Sequence, residues 1–268
     1  SVNTLQSKTY DGGTKAEGTL TLSSTDGNPI LSEDAAALEA KGTFTWTSKD
    51  AGTNTVNVTG IALDSQFEDR YELTTSELSN VSCSGAKIEN AQIKNVSVRQ
   101  MMELTYNGRE QLPEVTATGS TIGGTAITFR YGLTAVQAAD ENEWLNYVPA
   151  FTDAGTYTVY YTASAVNHDS VYGSFEIKIK NASITGVDAA GYTGIYDGIK
   201  ITLTGNAGDG EILYGESEDN CTLTESPVYK NTGSYTVYYM VTKKNFDTIN
   251  GSATVAITPA QLTVTAES

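Results

Sequence analysis

The chain has 268 residues, of which 32 are acidic and 16 are lysine or arginine, so its formal net charge is −16. A surface this acidic repels the phosphates of nucleic acids and the headgroups of anionic membranes, which argues against both as partners. One histidine and two cysteines leave few groups for metal sites or histidine-based catalysis. No run of about 18 apolar residues occurs, so the sequence predicts no membrane-spanning helix.

The composition favours β-structure throughout. Tyrosine occurs 16 times and glycine 25 times. Tyrosine, threonine and valine suit a pleated, half-buried surface, and glycine supplies turns with positive φ. Alternating apolar and polar residues separated by turn signals predict many short strands and an all-β fold. The clearest predicted strands cover residues 19–22, 42–46, 55–59, 126–129, 175–179, 200–203 and 252–257.

One segment near the start of the chain predicts a short helix instead. Residues 32–41 are rich in alanine and glutamate. Ser32 suits the N-cap, Lys41 suits the last turn, and Gly42 ends the pattern. We interpret this helix as a connector between sheets.

A tyrosine-led turn motif recurs three times, roughly every 90 residues. Its copies are Tyr10-Asp11-Gly12, Tyr106-Asn107-Gly108 and Tyr196-Asp197-Gly198. Asp-Gly and Asn-Gly are strong turn dipeptides because glycine accepts the left-handed region and the Asx side chain bonds nearby backbone. The recurrence predicts three successive repeats of one structural plan.

A second motif follows in each repeat. Its copies are Asp50-Ala51-Gly52-Thr53, Asp153-Ala154-Gly155-Thr156 and Asn231-Thr232-Gly233-Ser234. In the later two copies Tyr157 and Tyr235 come next, and the order Asp153-x-Gly155-x-Tyr157, like Gly233-x-Tyr235, is typical of the tyrosine corner of immunoglobulin-like sandwiches. Asn54 replaces the tyrosine in the first copy. We interpret this motif as structural rather than catalytic.

A third motif closes each repeat and gives the predicted boundaries. It reads Ile93-Lys94-Asn95, Ile179-Lys180-Asn181 and Ile257-Thr258-Pro259. We therefore expect repeats at residues 1–95, 96–181 and 182–259, with residues 260–268 forming the first strand of a truncated further repeat. Linkers this short predict an elongated arrangement of three tandem immunoglobulin-like β-sandwich domains. With neither a signal peptide nor an anchoring tail predicted, we expect either a cytosolic chain or a segment excised from a longer array.

The first repeat resembles the YDG-type repeat domain of bacterial surface proteins. The matching segments are Lys8-Thr9-Tyr10-Asp11-Gly12, residues 49–53, residues 56–63 and residues 70–73. The second and third repeats resemble immunoglobulin-like modules of the MBG kind, through the tyrosine-led turns, residues 151–157 and residues 233–235. The resemblance implies a tandem array on a secreted or wall-attached bacterial protein, with a stalk or adhesin role and no catalytic residues.

The candidates for chemistry are few. His168 lies beside Asp169 and Ser170, but neighbours in one loop do not converge as a catalytic triad must, and we expect a turn there. The acidic segments 139–143 and 216–220 lack the spacing that wraps calcium, so we expect solvated loops, with calcium left open. We expect Cys83 and Cys221 to be isolated thiols, although a disulfide between them is left open.

Two aromatic residues are the candidate ligand-binding residues. Trp144 and Tyr147 lie in a long connection of the second repeat that has no tryptophan counterpart in the third. Exposed rings there could stack on a glycan, although Trp144 could equally cover the end of its own sandwich.

The expected function is a non-enzymatic structural or adhesive repeat segment. We expect a monomer at the bacterial cell surface or cell wall, with a protein or glycan partner and with no cofactor and no metal. The alternatives are a carbohydrate-binding module and accessory domains of a large secreted enzyme.

Overall fold

The structure is a computed structural model that describes residues 1–135 and 144–265. Strands dominate it, which confirms the predicted all-β class. Within these residues the only helical segments are two 3₁₀ turns, at Ser65–Phe67 and Ile122–Gly124. Contacts divide the chain into two compact units. The first comprises Ser1–Arg99, Val115–Pro149 and Val159–Phe175, and the second comprises Gln100–Glu114, Ala150–Thr158 and Glu176–Ser268.

The first repeat is built around a three-stranded antiparallel sheet, β4-β5-β6. Its interior is apolar, with Trp46, Val56, Val58 and Ile88 almost fully buried. The strands are β1 (Val2–Leu5), β2 (Lys8–Thr9), β3 (Gly18–Leu20), β4 (Ala40–Trp46), β5 (Thr55–Leu63), β6 (Leu78–Ser82), β7 (Ile88–Glu89) and β8 (Ala91–Gln92). Strand β2 pairs in parallel with β7, which closes the repeat.

The second repeat contributes strands to both units. They are β9 (Lys94–Gln100), β10 (Leu104–Thr105), β11 (Val115–Ser120), β12 (Thr128–Gly132), β13 (Gly155–Ser164), β14 (His168–Asp169) and β15 (Val171–Lys180). In the first unit β12 pairs antiparallel with the second half of β13. In the second unit β10 pairs in parallel with the end of β15.

The third repeat is built around a four-stranded sheet with the order β18-β25-β23-β21. The pairs β16-β24, β17-β20 and β19-β22 provide its other strands. The core between them contains Leu203, Tyr214, Val237, Val255 and Ile257. The strands are β16 (Ala182–Ser183), β17 (Val187–Ala190), β18 (Tyr192–Ile195), β19 (Ile201–Thr202), β20 (Thr204–Ala207), β21 (Glu211–Gly215), β22 (Val228–Tyr229), β23 (Gly233–Thr242), β24 (Phe246–Asp247) and β25 (Ile249–Thr258).

The helix predicted in the first repeat does not form, and that prediction was wrong. Residues 32–37 make only consecutive turns, and strand β4 takes over at Ala40, which pairs with Leu63. The Asp34 carboxylate is buried and accepts hydrogen bonds from Arg70 Nη1 at 2.7 Å and Tyr71 Oη at 2.8 Å. The hydrogen bonds of Asp34 and the pairing of β4 stabilise this segment more than its weak intrinsic helix propensity would stabilise a helix.

Strand pairing aligns the closing segments of the three repeats. Ile88, Ile179 and Ile257 pair with Lys8, Leu104 and Gly194 in the equivalent parallel ladders. The segment 88–93 therefore corresponds to 179–184 and to 257–262. The sequence motif had put Ile93-Lys94-Asn95 at this position, five residues further along the chain.

Candidate functional site

A loop of the second repeat contacts the first repeat through an asparagine and through strand β14, which pairs in parallel with β8. We call this contact the first junction. Asn167 has φ 63°, in the left-handed region that asparagine tolerates better than most residues. Its Oδ1 accepts the Ala51 N–H at 3.0 Å, and its Nδ2 donates to Asp50 Oδ1 at 3.0 Å. Its carbonyl accepts the Ala91 N–H at 2.9 Å. A single residue therefore bonds three groups of the first repeat.

The next residue, His168, fills the space beneath the tyrosine of the first turn motif. Its ring packs edge-on against Tyr10 at a centroid distance of 5.5 Å. The partners assign the tautomer: Nδ1 donates to the Val166 carbonyl at 2.8 Å, and Nε2 accepts the Ile122 N–H at 3.0 Å. Both ring nitrogens are occupied and the side chain is buried. His168 is thus engaged in packing and has no free nitrogen with which to act as a general base.

The second repeat meets the third in the same way, at what we call the second junction. Asn245 has φ 68°. Its Oδ1 accepts the Ala154 N–H at 3.1 Å, and its Nδ2 donates to Asp153 Oδ1 at 2.8 Å. Its carbonyl accepts the Ala182 N–H at 2.9 Å. All three bonds of the first junction are thus reproduced on equivalent atoms.

The ring contact is also repeated, although its surroundings change. Phe246 packs edge-on against Tyr106 at a centroid distance of 5.5 Å. Lys244 Nζ donates to Asp153 Oδ2 at 2.8 Å. Lys243 Nζ lies 4.3 Å from the centre of the Phe246 ring, within range of a cation–π interaction. The second junction therefore adds charged contacts to the hydrogen bonds that its asparagine makes.

The second sequence motif positions the acceptor loop of each junction. Tyr157 Oη donates to the Asp153 carbonyl at 2.8 Å, and the ring stacks on Phe151 at 4.1 Å. In the third repeat Tyr235 Oη donates to the Asn231 carbonyl at 3.3 Å. Each tyrosine thereby fixes the backbone of the residue that stands at the junction position, as the tyrosine corner does in immunoglobulin-like sandwiches.

The first repeat lacks this tyrosine and holds its loop by the backbone. The Gly52 N–H donates to the Ile88 carbonyl at 2.7 Å, and the Thr53 N–H donates to the Asp50 carbonyl at 3.2 Å. Gly52 has φ 87°, a conformation that other residues rarely adopt. The hydrogen bond of Gly52 therefore holds the loop in place of the tyrosine hydroxyl bond, which is missing because Asn54 stands at the tyrosine position.

The two junction carboxylates are charged at neutral pH. Hydrogen bonds from Asn167 and then Ser48 lower the pKa of Asp50. Hydrogen bonds from Lys244 and then Asn245 lower the pKa of Asp153. Each pKa falls because the donors stabilise the ionised form.

The tyrosine-led turns orient the rings that receive the junction residues. Asp11 Oδ1 accepts the Gly13 N–H at 2.8 Å, as Asn107 Oδ1 does for Arg109 and Asp197 Oδ1 for Ile199. These are Asx turns, in which the side chain bonds backbone two residues on. The shared turn explains why the motif recurs next to each interface tyrosine.

The predicted glycan residues make none of the junction contacts described above. The indole of Trp144 is half-buried and lies over Gly132 of β12. Tyr147 is 55% exposed. No ring contact joins these two residues in the part of the chain that the structure describes, and their role as a ligand site stays a prediction.

The remaining chemical candidates show no catalytic or metal arrangement. Residues 139–143 lie outside the described residues. Across residues 1–135 and 144–265, no group of three or more His, Cys, Asp or Glu side chains could hold a metal ion. Cys83 is half-buried and Cys221 is buried, and both are free thiols. No helix in these same ranges is long and apolar enough to cross a membrane.

The first repeat contains an open cavity of about 590 Å³ that sequence reasoning missed. Its lining mixes apolar residues, including Leu20 and Ile61, with serine and threonine hydroxyls and the Glu72 carboxylate. Arg70, also in the lining, is paired with buried Asp34.

Comparisons with known proteins support the family assignment of the first repeat and identify no function. Residues 1–78 match the YDG domain family, which confirms the resemblance of the first repeat. No curated protein matches the chain.

Solved structures show only distant likeness. The Sidekick-1 immunoglobulin domains 1–4 share 10% identity at a TM-score of 0.31, covering 85% of this chain and 60% of that one. The human desmocollin-1 ectodomain shares 10% identity at a TM-score of 0.27, covering 95% and 60%. A SusE-like surface located polysaccharide binding protein from Bacteroides thetaiotaomicron shares 12% identity at a TM-score of 0.22, covering 83% and 43%. The fold assignment therefore rests on the strand pairing described above.

Proposed function

We propose that this chain is a non-enzymatic structural and adhesive repeat segment of a secreted or wall-attached bacterial protein. In this role it links successive β-repeats through side-chain contacts and presents their surfaces to a protein or glycan. The observation that carries the proposal is the junction built twice from the same contacts, around Asn167 and Asn245. The YDG domain match of residues 1–78 supports the assignment of the first repeat.

A fixed junction serves a structural role because it removes freedom between neighbours. At each junction the asparagine side chain bonds a backbone N–H and an aspartate of the preceding repeat, and the following ring packs on a tyrosine. A repeat joined only by a short linker would keep rotational freedom about that linker. The contacts therefore favour adjacent repeats that move together at each junction.

The absence of enzymatic activity is part of the proposal. The chain has one histidine, and its two ring nitrogens are used inside the first junction. The acidic side chains at the junctions are likewise engaged with Asn167, Asn245 and Lys244. The histidine nitrogens bond Val166 and Ile122 within the second repeat, and the carboxylates serve contacts between repeats. Both uses support a structural role.

Nitrogen-15 relaxation tests whether the second and third repeats move together. In the natural chain we expect the amides of residues 150–158, which carry the acceptor loop, and those of the third repeat to report the same rotational correlation time. Asn245→Gly keeps the left-handed backbone but removes the side-chain bonds, and should make the two values diverge. Asn80→Gly is the matched control, because Asn80 also has positive φ, at 53°, but lies outside the junctions. Equal values in all three proteins would overturn the proposal.

A carbohydrate-binding role is the second candidate. Tyr147 exposes 55% of its surface. Trp144, three residues earlier, packs its ring over Gly132 of β12. Exposed aromatic rings stack on the apolar faces of sugars, much as they stack on other flat groups. A glycan array with the natural chain, Tyr147→Ala and Trp144→Ala tests it. Binding that both variants abolish supports this candidate, and binding by none of the glycans removes it.

A further inference from the structure

The third repeat carries the same acceptor groups that the first and second repeats use at their junctions. The Tyr196 N–H donates to the Thr258 carbonyl at 2.7 Å, as Tyr10 and Tyr106 do to Glu89 and Lys180. The register therefore aligns Ala260 with Ala91 and Ala182, whose N–H groups receive the junction carbonyls. We call the surface formed by Tyr196, Asn231, Thr232 and Ala260 the third acceptor face.

This face is open where its counterparts are covered. Tyr196 is 41% exposed, whereas Tyr10 is 5% exposed under His168. Ile195 and Ile199, on either side of the Tyr196 turn, are 65% and 62% exposed. Among the described residues nothing accepts a hydrogen bond from the backbone N–H of Thr232 or Ala260. The equivalent N–H groups at the two junctions are paired.

We propose that the third acceptor face binds the hairpin loop of a further β-sandwich repeat. The loop it fits carries an asparagine in the left-handed conformation, followed by an aromatic or imidazole ring. The asparagine Oδ1 would accept from Thr232, its Nδ2 would donate to Asn231 Oδ1, and its carbonyl would accept from Ala260. This inference rests on the proposed function, because it extends the two observed junctions to a third.

A second copy of this chain does not supply that loop. Of the asparagines with positive φ in the described residues, only Asn167 and Asn245 precede a ring, and both are already bound within the chain. The other asparagines with positive φ, Asn80 and Asn95, are followed by valine. The occupant is therefore a repeat beyond the three present here.

The chemistry of the face also constrains its partner. Asn231 stands where the junctions have Asp50 and Asp153, so the face offers a neutral amide oxygen in place of a carboxylate. A lysine in the position of Lys244 would find no ion pair there. Exposed Ile195 and Ile199 add apolar area beside the ring of Tyr196. We expect binding that depends little on salt, unlike a contact built on charge.

An extended chain tests the proposal directly. A second copy of residues 182–259 is joined after Pro259, so that the copied Ala182 takes the position of Ala260. Hydrogen exchange of the Thr232 amide is compared in the natural chain, in the extended chain, and in an extended chain with Asn245→Gly in the appended copy alone. We expect exchange to slow at least about tenfold on extension and to recover in the variant, because a hydrogen-bonded amide exchanges only on opening.

The same samples test the proposed function and the third acceptor face separately. Amides within the appended copy report whether it folds, and the Ala51 and Ala154 amides report the two natural junctions. Unprotected Ala51 and Ala154 would overturn the proposed function. Protected junction amides together with unchanged Thr232 exchange beside a folded appended copy would overturn only the third acceptor face. Protection that survives Asn245→Gly would also overturn it, since the asparagine would then not be the binding group.

Discussion

The first and second junctions share their backbone-directed contacts and differ in the side chains that surround them. In both, an asparagine side chain bonds a backbone N–H and an aspartate, and the asparagine carbonyl accepts a strand N–H. At the first junction Asp169 also accepts from Asn90 at 3.0 Å and from Gln92 at 2.5 Å. At the second junction Lys244 pairs with Asp153 instead.

This difference shows which part of the interface sets the geometry. Asparagine tolerates the left-handed backbone region, and its side-chain amide carries both a donor and an acceptor. It can therefore bond a backbone N–H and a carboxylate at the same time. The ring that follows needs only the right shape, since His168 and Phe246 make the same edge-on contact. The remaining polar contacts vary because each is exposed and contributes little alone.

The largest expected effect comes from replacing the junction asparagines with alanine. Asn245→Ala removes two side-chain bonds, leaves the Ala154 N–H unpaired, and puts alanine at positive φ. Together these should lower the free energy of unfolding by about 2–4 kcal/mol. Asn167→Ala should cost less, because Asp169 keeps its own bonds across the first junction. Denaturant unfolding of the full chain measures both.

Glycine variants separate the side chain from the backbone in this comparison. Asn245→Gly should recover roughly 1 kcal/mol of the alanine loss, because glycine adopts positive φ freely. Asn95→Ala is the control outside the junctions, since Asn95 has φ 54° and its side chain makes one exposed hydrogen bond, to Ser120 Oγ at 3.2 Å. An Asn245→Ala loss no larger than that of Asn95→Ala would contradict the assigned role.

A second test compares the tyrosines that support the acceptor loops. Tyr157→Phe should cost about 1 kcal/mol, because its hydroxyl bond to the Asp153 carbonyl is short and partly buried. Tyr235→Phe should cost less, because the corresponding bond is 3.3 Å long and exposed. Thermal unfolding ranks the two. The reverse order would show that the corner does not act through the junction.

A third test exchanges the junction rings. His168→Phe keeps the contact with Tyr10 but removes the acceptor for the Ile122 N–H. We expect a loss below about 1 kcal/mol, because Ile122 is 38% exposed and water can replace the imidazole. Phe246→His is the reciprocal variant and should also fold. Unfolding of either variant at room temperature would show that the ring identity matters more than this account allows.

The smallest expected effect is a loss of stability in acid. The pKa values of Asp50 and Asp153 lie below the ordinary aspartate value of 3.8 when the chain is folded. Their contribution is therefore complete above pH 3.8 and is lost as the pH falls through the lowered values. Asp153→Asn, which copies the natural Asn231, should flatten the part of the pH profile that depends on the second junction. A profile that this variant leaves unchanged would contradict the ionic contribution.

The strand plan and the turn motifs could be predicted from the sequence because their signals are local. Alternation gives the strands, and Asp-Gly or Asn-Gly gives the turns that carry Tyr10, Tyr106 and Tyr196. The helix prediction failed because Asp34 finds tertiary partners and Ala40 enters β4. The closing motif was displaced because two Ile-x-Asn triplets lie five residues apart, and only pairing with Lys8 distinguishes them.

The junctions could not be predicted from the sequence because their contacts join distant parts of the chain. Asn167 and Ala51 are 116 residues apart in sequence, and an asparagine in a turn is common. A usable signal was present nonetheless: both hairpin loops place an asparagine directly before a ring, at Asn167-His168 and Asn245-Phe246. The cavity of the first repeat had no such repeated signal, since its lining comes from strands and loops that are far apart in sequence.

The most direct test of the central claim is hydrogen exchange at the Ala154 amide in the otherwise natural chain. This N–H is half-buried and bonds only the side chain of Asn245. The account predicts slow exchange in the natural chain and fast exchange in Asn245→Gly, with the Ala51 amide protected in both. Fast exchange at Ala154 in the natural chain, or equal rates in the two proteins, would contradict the claim that asparagine fixes the junction.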